Sequence, residues 1–184
     1  MIVEMKKIGD WDKVAELTKR LAPDIHKSVM QGQKAAALRL ETIVKDHLID
    51  QDLGWKPLAA STKSHKKEGK DMILVERWRY YEAIKIEKRG NTYLIGVTKN
   101  KYYQRKGSRI QIYKVAAFHE GNPQITNLWG QGIKLPVRKL WTPSVKEWAL
   151  DLDKRIVKSI RQHLEKRGWD KVTLKQLRDY KAPV

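Results

Sequence analysis

Two long stretches of the chain carry apolar residues at the spacing of an α-helix. In the first, from Asp24 to about Asp50, a stripe runs along one face for roughly 25 residues, or about 38 Å, and comprises Ile25, Val29, Ala36, Leu40, Ile43, Val44 and Leu48. In the second, between Thr142 and Gly168, the stripe comprises Val145, Trp148, Leu152, Ile156, Ile160 and Leu164. Basic residues occupy the opposite faces, so both stretches predict amphipathic helices with one buried face.

The region between these helices predicts a small β-structure. Residues 79–98 alternate apolar and polar positions on either side of Arg89-Gly90-Asn91, which is typical of a hairpin. Residues 133–141 predict an extended piece, which Pro136 places at a sheet edge or a bulge. Residues 113–119 fit either a helical turn or a strand end. The predicted fold is therefore α+β, with a small antiparallel sheet packed by two long amphipathic helices.

Breaks in these patterns predict the domain organisation. Residues 12–21 predict a short helix that ends before Pro23, so residues 1–23 form an N-terminal arm. Residues 24–167 form the α+β domain, and residues 168–184 form a C-terminal tail with a weak apolar pattern. Within the domain, residues 55–75 and 99–112 lack periodicity, and we expect protruding basic loops there.

The charge of the chain points to a polyanionic neighbour. The 184 residues include 39 Lys and Arg against 21 Asp and Glu, which gives a net charge of +18. A sum of this size attracts nucleic acid, anionic membranes or acidic protein surfaces. Two basic clusters lie in the predicted loops: Lys63, Lys66, Lys67 and Lys70 in the first, and Lys99, Lys101, Arg105, Lys106 and Arg109 in the second.

Tyr102 and Tyr103 are interleaved with the second cluster, and aromatic rings beside cations suit phosphate contact and base stacking. The sequence contains neither a helix-turn-helix pattern nor an RNP or zinc-finger motif. The clusters therefore predict sequence-neutral contact with DNA, and a merely solvated surface is the alternative.

Several classes of protein are not expected. The chain has no Cys, so it has no disulfide, catalytic thiol or Cys-based zinc site. No apolar run approaches the ~18 residues of a membrane span, and Met1 to Asp12 lack the apolar core of a signal peptide. We expect the protein in a cytoplasm or in a particle assembled there.

The sequence offers little for catalysis. It has no phosphate-binding glycine loop, dinucleotide fingerprint or serine elbow. His119-Glu120 is an adjacent His–carboxylate pair, but sequence neighbours usually point apart, and Asp46 and Asp50 fit a solvated helix end. Glu68-Gly69-Lys70 matches half of a nuclease signature, which leaves a small Mg-dependent nuclease as an alternative. We predict a protein without enzymatic activity, cofactor or metal.

A set of short motifs follows an unusual order along the chain. They are Trp55, Pro57, Leu58 and Thr62; Met72-Ile73-Leu74; Ile95-Gly96-Val97; Ala117-Phe118-His119-Glu120-Gly121; and Leu135-Pro136-Val137-Arg138. In this order the chain resembles, over roughly residues 24–165, the tail-completion or neck proteins of tailed bacteriophages, which include virion morphogenesis and head–tail connector families. It departs from the family at Val75-Glu76-Arg77-Trp78, where T-G is typical, at the insertion from Tyr102 to Arg109, and after Gly168.

The resemblance implies a structural virion protein without catalysis. Such proteins form rings, commonly hexameric, that join the head connector or adaptor to the tail terminator or tube. Genomic DNA passes through the ring, and assembly takes place in the host cytoplasm without a membrane. On this interpretation, the basic clusters face DNA or a partner. Residues rich in aromatic area are expected at the subunit interface, namely Trp55, Trp78, Tyr102, Tyr103, Trp129, Arg138 and Trp141.

Overall fold

A computed structural model describes residues 11–66, 71–75, 77–105, 108–121, 124–126, 132–134 and 136–169. The α-helices are α1 Trp11–Asp50, α2 Ala60–His65, α3 Arg79–Ala83, α4 Ile112–Gly121 and α5 Trp141–Lys166. The strands are β1 Ile84–Arg89, β2 Thr92–Val97, β3 Tyr102–Arg105, β4 Ser108–Gln111, β5 Gln124–Thr126 and β6 Gly132–Lys134. Within the described residues, consecutive strands pair as the antiparallel ribbons β1–β2, β3–β4 and β5–β6. The predicted α+β class, with helix α1 packed on helix α5, is confirmed.

The chain divides into two compact units. The first comprises residues 1–35 and 154–184, and the second comprises residues 36–153. Each unit contains part of α1 and part of α5. In the first unit the two helices approach closely at Gly32, where an added Cβ would lie 3.0 Å from Ile160 Cγ1. A side chain at position 32 would therefore push the helices apart.

The second unit contains the main hydrophobic cluster. Helix α1 contributes side chains four residues apart, which is the spacing that its apolar stripe predicted. The strands, α3, α4 and the start of α5 close around them. The fully or nearly fully buried members are Leu40, Val44, Leu48, Tyr80, Ala83, Ile84, Ile112, Ala116 and Leu140.

The β1–β2 hairpin follows the predicted alternation. Ile84 is buried and Lys85 is exposed, and the register pairs Arg89 with Thr92 around a two-residue turn. Gly90 in this turn has a φ of 56°, a conformation that glycine adopts without a Cβ clash. The predicted hairpin is confirmed, but its first residues are not a strand. Residues 79–83 form helix α3, because Tyr80 and Ala83 bury the same helical face.

The predicted helix break at Pro23 is wrong. Helix α1 continues through this residue from Trp11 to Asp50. Proline removes one helical hydrogen bond, but residues on its C-terminal side are held by tertiary contacts. Asp24 is bound by Arg167 and Trp169, and Ser28 donates its hydroxyl to the Asp24 carbonyl at 2.6 Å. These contacts outweigh the local preference.

The two segments predicted as basic loops are partly ordered elements. Residues 60–65 form α2, which buries none of its residues and therefore leaves no apolar period in the sequence. The segment 99–112 contains the β3–β4 ribbon, whose four-residue strands are too short to produce a clear alternation. Residues 112–121, left open between turn and strand, form helix α4.

The end of helix α5 matches its predicted stop at Gly168. The Gly168 N–H bonds the Glu165 carbonyl and the Trp169 N–H bonds the Leu164 carbonyl, both at 3.0 Å. With the Gly168 φ of 87°, this is a Schellman cap. The domain boundaries predicted at residues 23 and 168 stay predictions, and the predicted tail from residue 170 lies outside the described residues.

Candidate functional site

Three of the motifs that define the resemblance converge in the second unit. The Trp55 indole N–H donates to the Lys139 carbonyl at 3.1 Å. The Arg138 side chain donates from Nη2 to the Lys56 carbonyl at 3.3 Å, and its backbone N–H donates to the His119 carbonyl at 3.1 Å. The segments 55–56, 119–120 and 138–139 are therefore joined by hydrogen bonds across more than 80 positions of sequence. We call these segments the motif clamp.

Glu120 in the motif clamp caps the start of helix α5. Its Oε1 accepts the backbone N–H groups of Leu140 at 2.5 Å and Trp141 at 2.6 Å, and its Oε2 accepts the Thr142 hydroxyl at 3.0 Å. A helix N-terminus leaves its first N–H groups unpaired and favours negative charge, so this carboxylate satisfies both requirements. The sequence predicted Thr142 as the cap, which is wrong, because Thr142 lies inside α5 and Glu120 supplies the acceptor.

The charges beside Glu120 disfavour a protonated His119. Burial lowers the pKa of His119 to about 4, with the nearby Arg138 guanidinium as the second cause. Burial also lowers the pKa of Arg138, which is 8% exposed. Because Glu120 is bound to the α5 backbone, His119 and Glu120 do not form the oriented base pair that catalysis would require.

The first basic cluster is engaged within its own segment. Lys63 Nζ lies 2.6 Å from Asp71 Oδ1, and Lys66 Nζ donates to the Met72 carbonyl at 2.5 Å. Both ammonium groups therefore have acceptors on the chain that follows them. The remaining members, Lys67 and Lys70, lie outside the described residues, as does Glu68 of the possible nuclease triplet.

The second basic cluster is built on the β3–β4 ribbon. The Arg109 guanidinium lies over the Tyr102 ring, 4.1 Å from its centroid. Tyr102 is held in turn: its carbonyl accepts a hydrogen bond from Arg79 at 3.0 Å, and its hydroxyl accepts one from Gln111 at 3.4 Å. This stack is a preformed cation on the surface.

Two lysines flank this stack. Lys99 is exposed, and Lys101 lies 4.0 Å from Glu82 with half of its side chain in solvent. A surface pair at that distance is weak. Lys106 and the side chains of Tyr103 and Arg105 lie outside the described part of the chain.

The predicted interface residues occupy different environments. Trp55 and Trp141 pack against the core, and the Trp141 indole donates to the Tyr80 hydroxyl at 3.3 Å. Arg138 is buried in the motif clamp, so its guanidinium contributes to the fold of the single chain. Contact of these residues with a partner stays a prediction. Trp129 lies outside the described residues.

Trp78 differs from the other described tryptophans on that list, because it is 41% exposed. Its backbone has a φ of 57°, which is uncommon for a residue with a side chain, and Arg77 before it has a φ of 52°. Its ring meets Tyr81 edge to face with centroids 5.8 Å apart. The Lys45 ammonium lies 4.8 Å from the centroid of the same Tyr81 ring. Trp78 is thus presented outward on a supported aromatic platform.

A buried polar cluster in the first unit was not predicted. Asp24, which the sequence suggested as a helix cap, binds Arg167 at 2.6 Å and the Trp169 indole N–H at 3.0 Å. The Trp169 hydrogen bond is the main cause that lowers the pKa of Asp24, and Arg167 adds to it. No sequence motif marked these partners, because they lie more than 140 positions apart.

Ser28 and His163 in the same unit form a contact that superficially suggests a nucleophile. Their Oγ and Nδ1 atoms are 2.9 Å apart. However, the Ser28 hydroxyl donates to the Asp24 carbonyl, and the residue is fully buried. Since the hydroxyl proton is not directed at the imidazole, this pair supports the helix contact and leaves no path for a substrate.

The acidic residues at the end of helix α1 pair with a histidine. His47 Nδ1 lies 2.7 Å from Asp52 Oδ1, and its Nε2 lies 3.3 Å from Glu147 Oε2. Among the described residues, no group of three or more His, Cys, Asp or Glu side chains could hold a metal ion. No described helix is both long and apolar enough to cross a membrane.

Comparisons of the chain with protein-family models, curated proteins and solved structures gave no match. Interpretation of the function therefore depends on the motifs and on the geometry of these sites.

Proposed function

We propose that this chain is a structural protein of the neck of a tailed bacteriophage. In this role it forms a ring, expected to be hexameric, between the head connector and the tail terminator or tube, and DNA passes through it. The observation that carries the proposal is the motif clamp. Residues that resemble the neck family at three distant points of the sequence meet through direct hydrogen bonds in one unit.

The chemistry of the clamp fits a structural role. Glu120 holds the α5 backbone, Arg138 links two chain segments, and His119 is disfavoured from protonation. These groups use their hydrogen bonds within the chain, and a substrate would have to displace those bonds. A scaffold that positions α5 is what the arrangement can provide.

Exposed apolar side chains of the second unit offer contact area for neighbouring subunits. Leu150 on helix α5 is 82% exposed, Leu38 on helix α1 is 48% exposed, and Trp78 is presented on its aromatic platform. Large apolar or aromatic residues at the surface are typical of interface centres. A cyclic ring joins two different faces of each subunit, so apolar groups on separate elements are compatible with it.

Native mass spectrometry of the purified protein, with electron microscopy of the same sample, tests this proposal. We expect a closed ring with a central opening, and six copies per ring. Mass spectrometry of purified virions should detect the same chain. A protein that stays monomeric at high concentration and is absent from particles would overturn the proposal.

A second function, that of a non-specific DNA-binding module, is favoured by one observation, the Arg109–Tyr102 stack between two lysines. Such a module would bind DNA as a monomer, with an affinity that falls steeply with salt. Ring formation separates the two functions, because only the neck protein requires it. The possible nuclease is tested by Mg-dependent cleavage and its loss in Glu68→Gln.

A further inference from the structure

The two basic clusters differ in how far their charges are already used. In the first, Lys63 pairs with Asp71 at 2.6 Å and Lys66 binds a backbone carbonyl. In the second, no described residue pairs closely with Lys99, and the carboxylate nearest Lys101 is 4.0 Å away. A polyanion that approached the first cluster would compete with an existing acceptor. At the second cluster it would meet cations with little to displace.

The Arg109–Tyr102 stack adds a positioned donor to the second cluster. The ring covers one face of the guanidinium, which leaves the N–H groups at its edges directed away from the ring plane. Arg79 and Gln111 hold Tyr102 from its carbonyl and its hydroxyl, so the platform exists before a ligand arrives. Preorganisation of this kind reduces the entropy lost on binding.

We propose that the β3–β4 ribbon, through Arg109, Lys101 and Lys99, is the surface that contacts the phosphate backbone of duplex DNA, and that residues 60–66 are not. This deepens the proposed function, since it names which basic segment meets the DNA that passes through the ring. Phosphate contacts of this kind carry no base specificity, in agreement with the lack of a base-reading motif in the sequence.

Duplex DNA is favoured over an acidic protein surface by the charge of the whole chain. The net charge of +18 creates a long-range attraction to a uniform linear polyanion, and counterion release rewards each cation that reaches it. Three cations around one aromatic platform provide contacts without a shaped pocket for a particular side chain. Polyglutamate serves as the acidic-protein probe in the test.

The test compares two variants that lose the same charge. Lys99→Gln with Lys101→Gln removes two cations from the ribbon, and Lys63→Gln with Lys66→Gln removes two from the first cluster. Affinity for a labelled duplex is measured by fluorescence anisotropy at several salt concentrations. Each lost phosphate contact lowers the salt slope by about 0.9, so the ribbon variant should lose about two units of slope. It should bind about 10-fold more weakly at about 50 mM salt, with the difference closing by about 200 mM.

The first-cluster variant should retain the slope and affinity of the parent protein. Equal losses in the two variants, or a loss confined to the first cluster, would overturn the proposal. So would polyglutamate binding as tight as that of DNA. Arg109→Gln should weaken DNA binding further, whereas Arg109→Lys should recover part of the charge without the stack.

Lysine acetylation of the unaltered protein provides a measurement that does not depend on the folding of variants. We expect added duplex to protect Lys99 and Lys101 and to leave Lys63 and Lys66 as reactive as before. The reverse pattern would contradict the proposal. Native mass spectrometry of the same samples separates the two questions. A ring with unprotected ribbon lysines refutes the DNA surface alone, and a protected monomer refutes the neck function alone.

Discussion

Removal of the Glu120 carboxylate tests whether the motif clamp stabilises the fold. Glu120 accepts three backbone N–H groups and one hydroxyl at the start of helix α5. Loss of an N-terminal cap costs about 0.5–2 kcal/mol, and hydrogen bonds to a charged group contribute about 1.5–3 kcal/mol. Because Glu120 is only partly buried, we expect Glu120→Ala to lower the free energy of unfolding by about 2 kcal/mol.

The same argument orders a series of variants. Glu120→Gln retains an acceptor oxygen but removes the charge that favours the helix N-terminus, so it should cost about 1 kcal/mol. Urea unfolding, followed by tryptophan fluorescence, measures both changes as a lower midpoint at an unchanged slope. In thermal unfolding, a loss of about 2 kcal/mol corresponds to a melting temperature lower by about 4–8 °C for a chain of this size.

Glu87→Ala is the matched control. Glu87 is exposed on the β1–β2 hairpin and pairs with Arg89, which is also exposed. Surface pairs contribute little, so this variant should cost less than about 0.5 kcal/mol. If Glu120→Ala were as stable as Glu87→Ala, the capping role of Glu120 would be wrong, and with it the idea that the clamp positions helix α5.

Three further predictions follow from the other sites. The folded-state pKa of His119 is lowered from 6.5 to about 4, so the unfolded chain binds more protons between these values. The free energy of unfolding should therefore fall from pH 6.5 to pH 4, by about 2 kcal/mol after allowance for partial exposure, and His119→Asn should flatten this slope in urea titrations. The pKa of Asp24 is also lowered, so its stabilisation should persist above its usual value near 3.8 and be lost as the pH falls below it. Asp24→Asn should remove this acid dependence and change the emission of Trp169, and an unaltered spectrum would contradict the contact. Leu150→Glu, at a side chain 82% exposed, should abolish the ring in native mass spectrometry while circular dichroism stays unchanged, and an intact ring would exclude Leu150 from the interface.

The sequence predicted those elements that bury one regular face. Leu40, Val44 and Leu48 revealed helix α1, and the alternation of Ile84 and Lys85 revealed the hairpin, because burial imposes a period on the residues. Helix α2 buries no residue and gave no such period. Continuity through Pro23 could not be predicted either, because it depends on Arg167 and Trp169 at the other end of the chain.

The candidate site was predicted in composition but not in geometry. The sequence identified Arg109 and Tyr102 as neighbours of interest, but the stack depends on a strand register that places them on one ribbon. It also identified Arg138 by its motif and expected it at an interface. The hydrogen bonds to Lys56 and from the 138 backbone to His119 instead place it inside the unit, which only a three-dimensional arrangement could reveal.

The motif clamp also has a consequence for how such chains can change. The contacts from His119 and Glu120 to Arg138, Leu140 and Trp141 tie together both ends of the segment between them. The entropic cost of closing a loop grows only slowly with its length. Insertions between residues 122 and 134 should therefore leave the start of helix α5 in place. The clamp makes this segment a position where evolution can lengthen the chain, or an experimenter can insert a tag, without altering the helices.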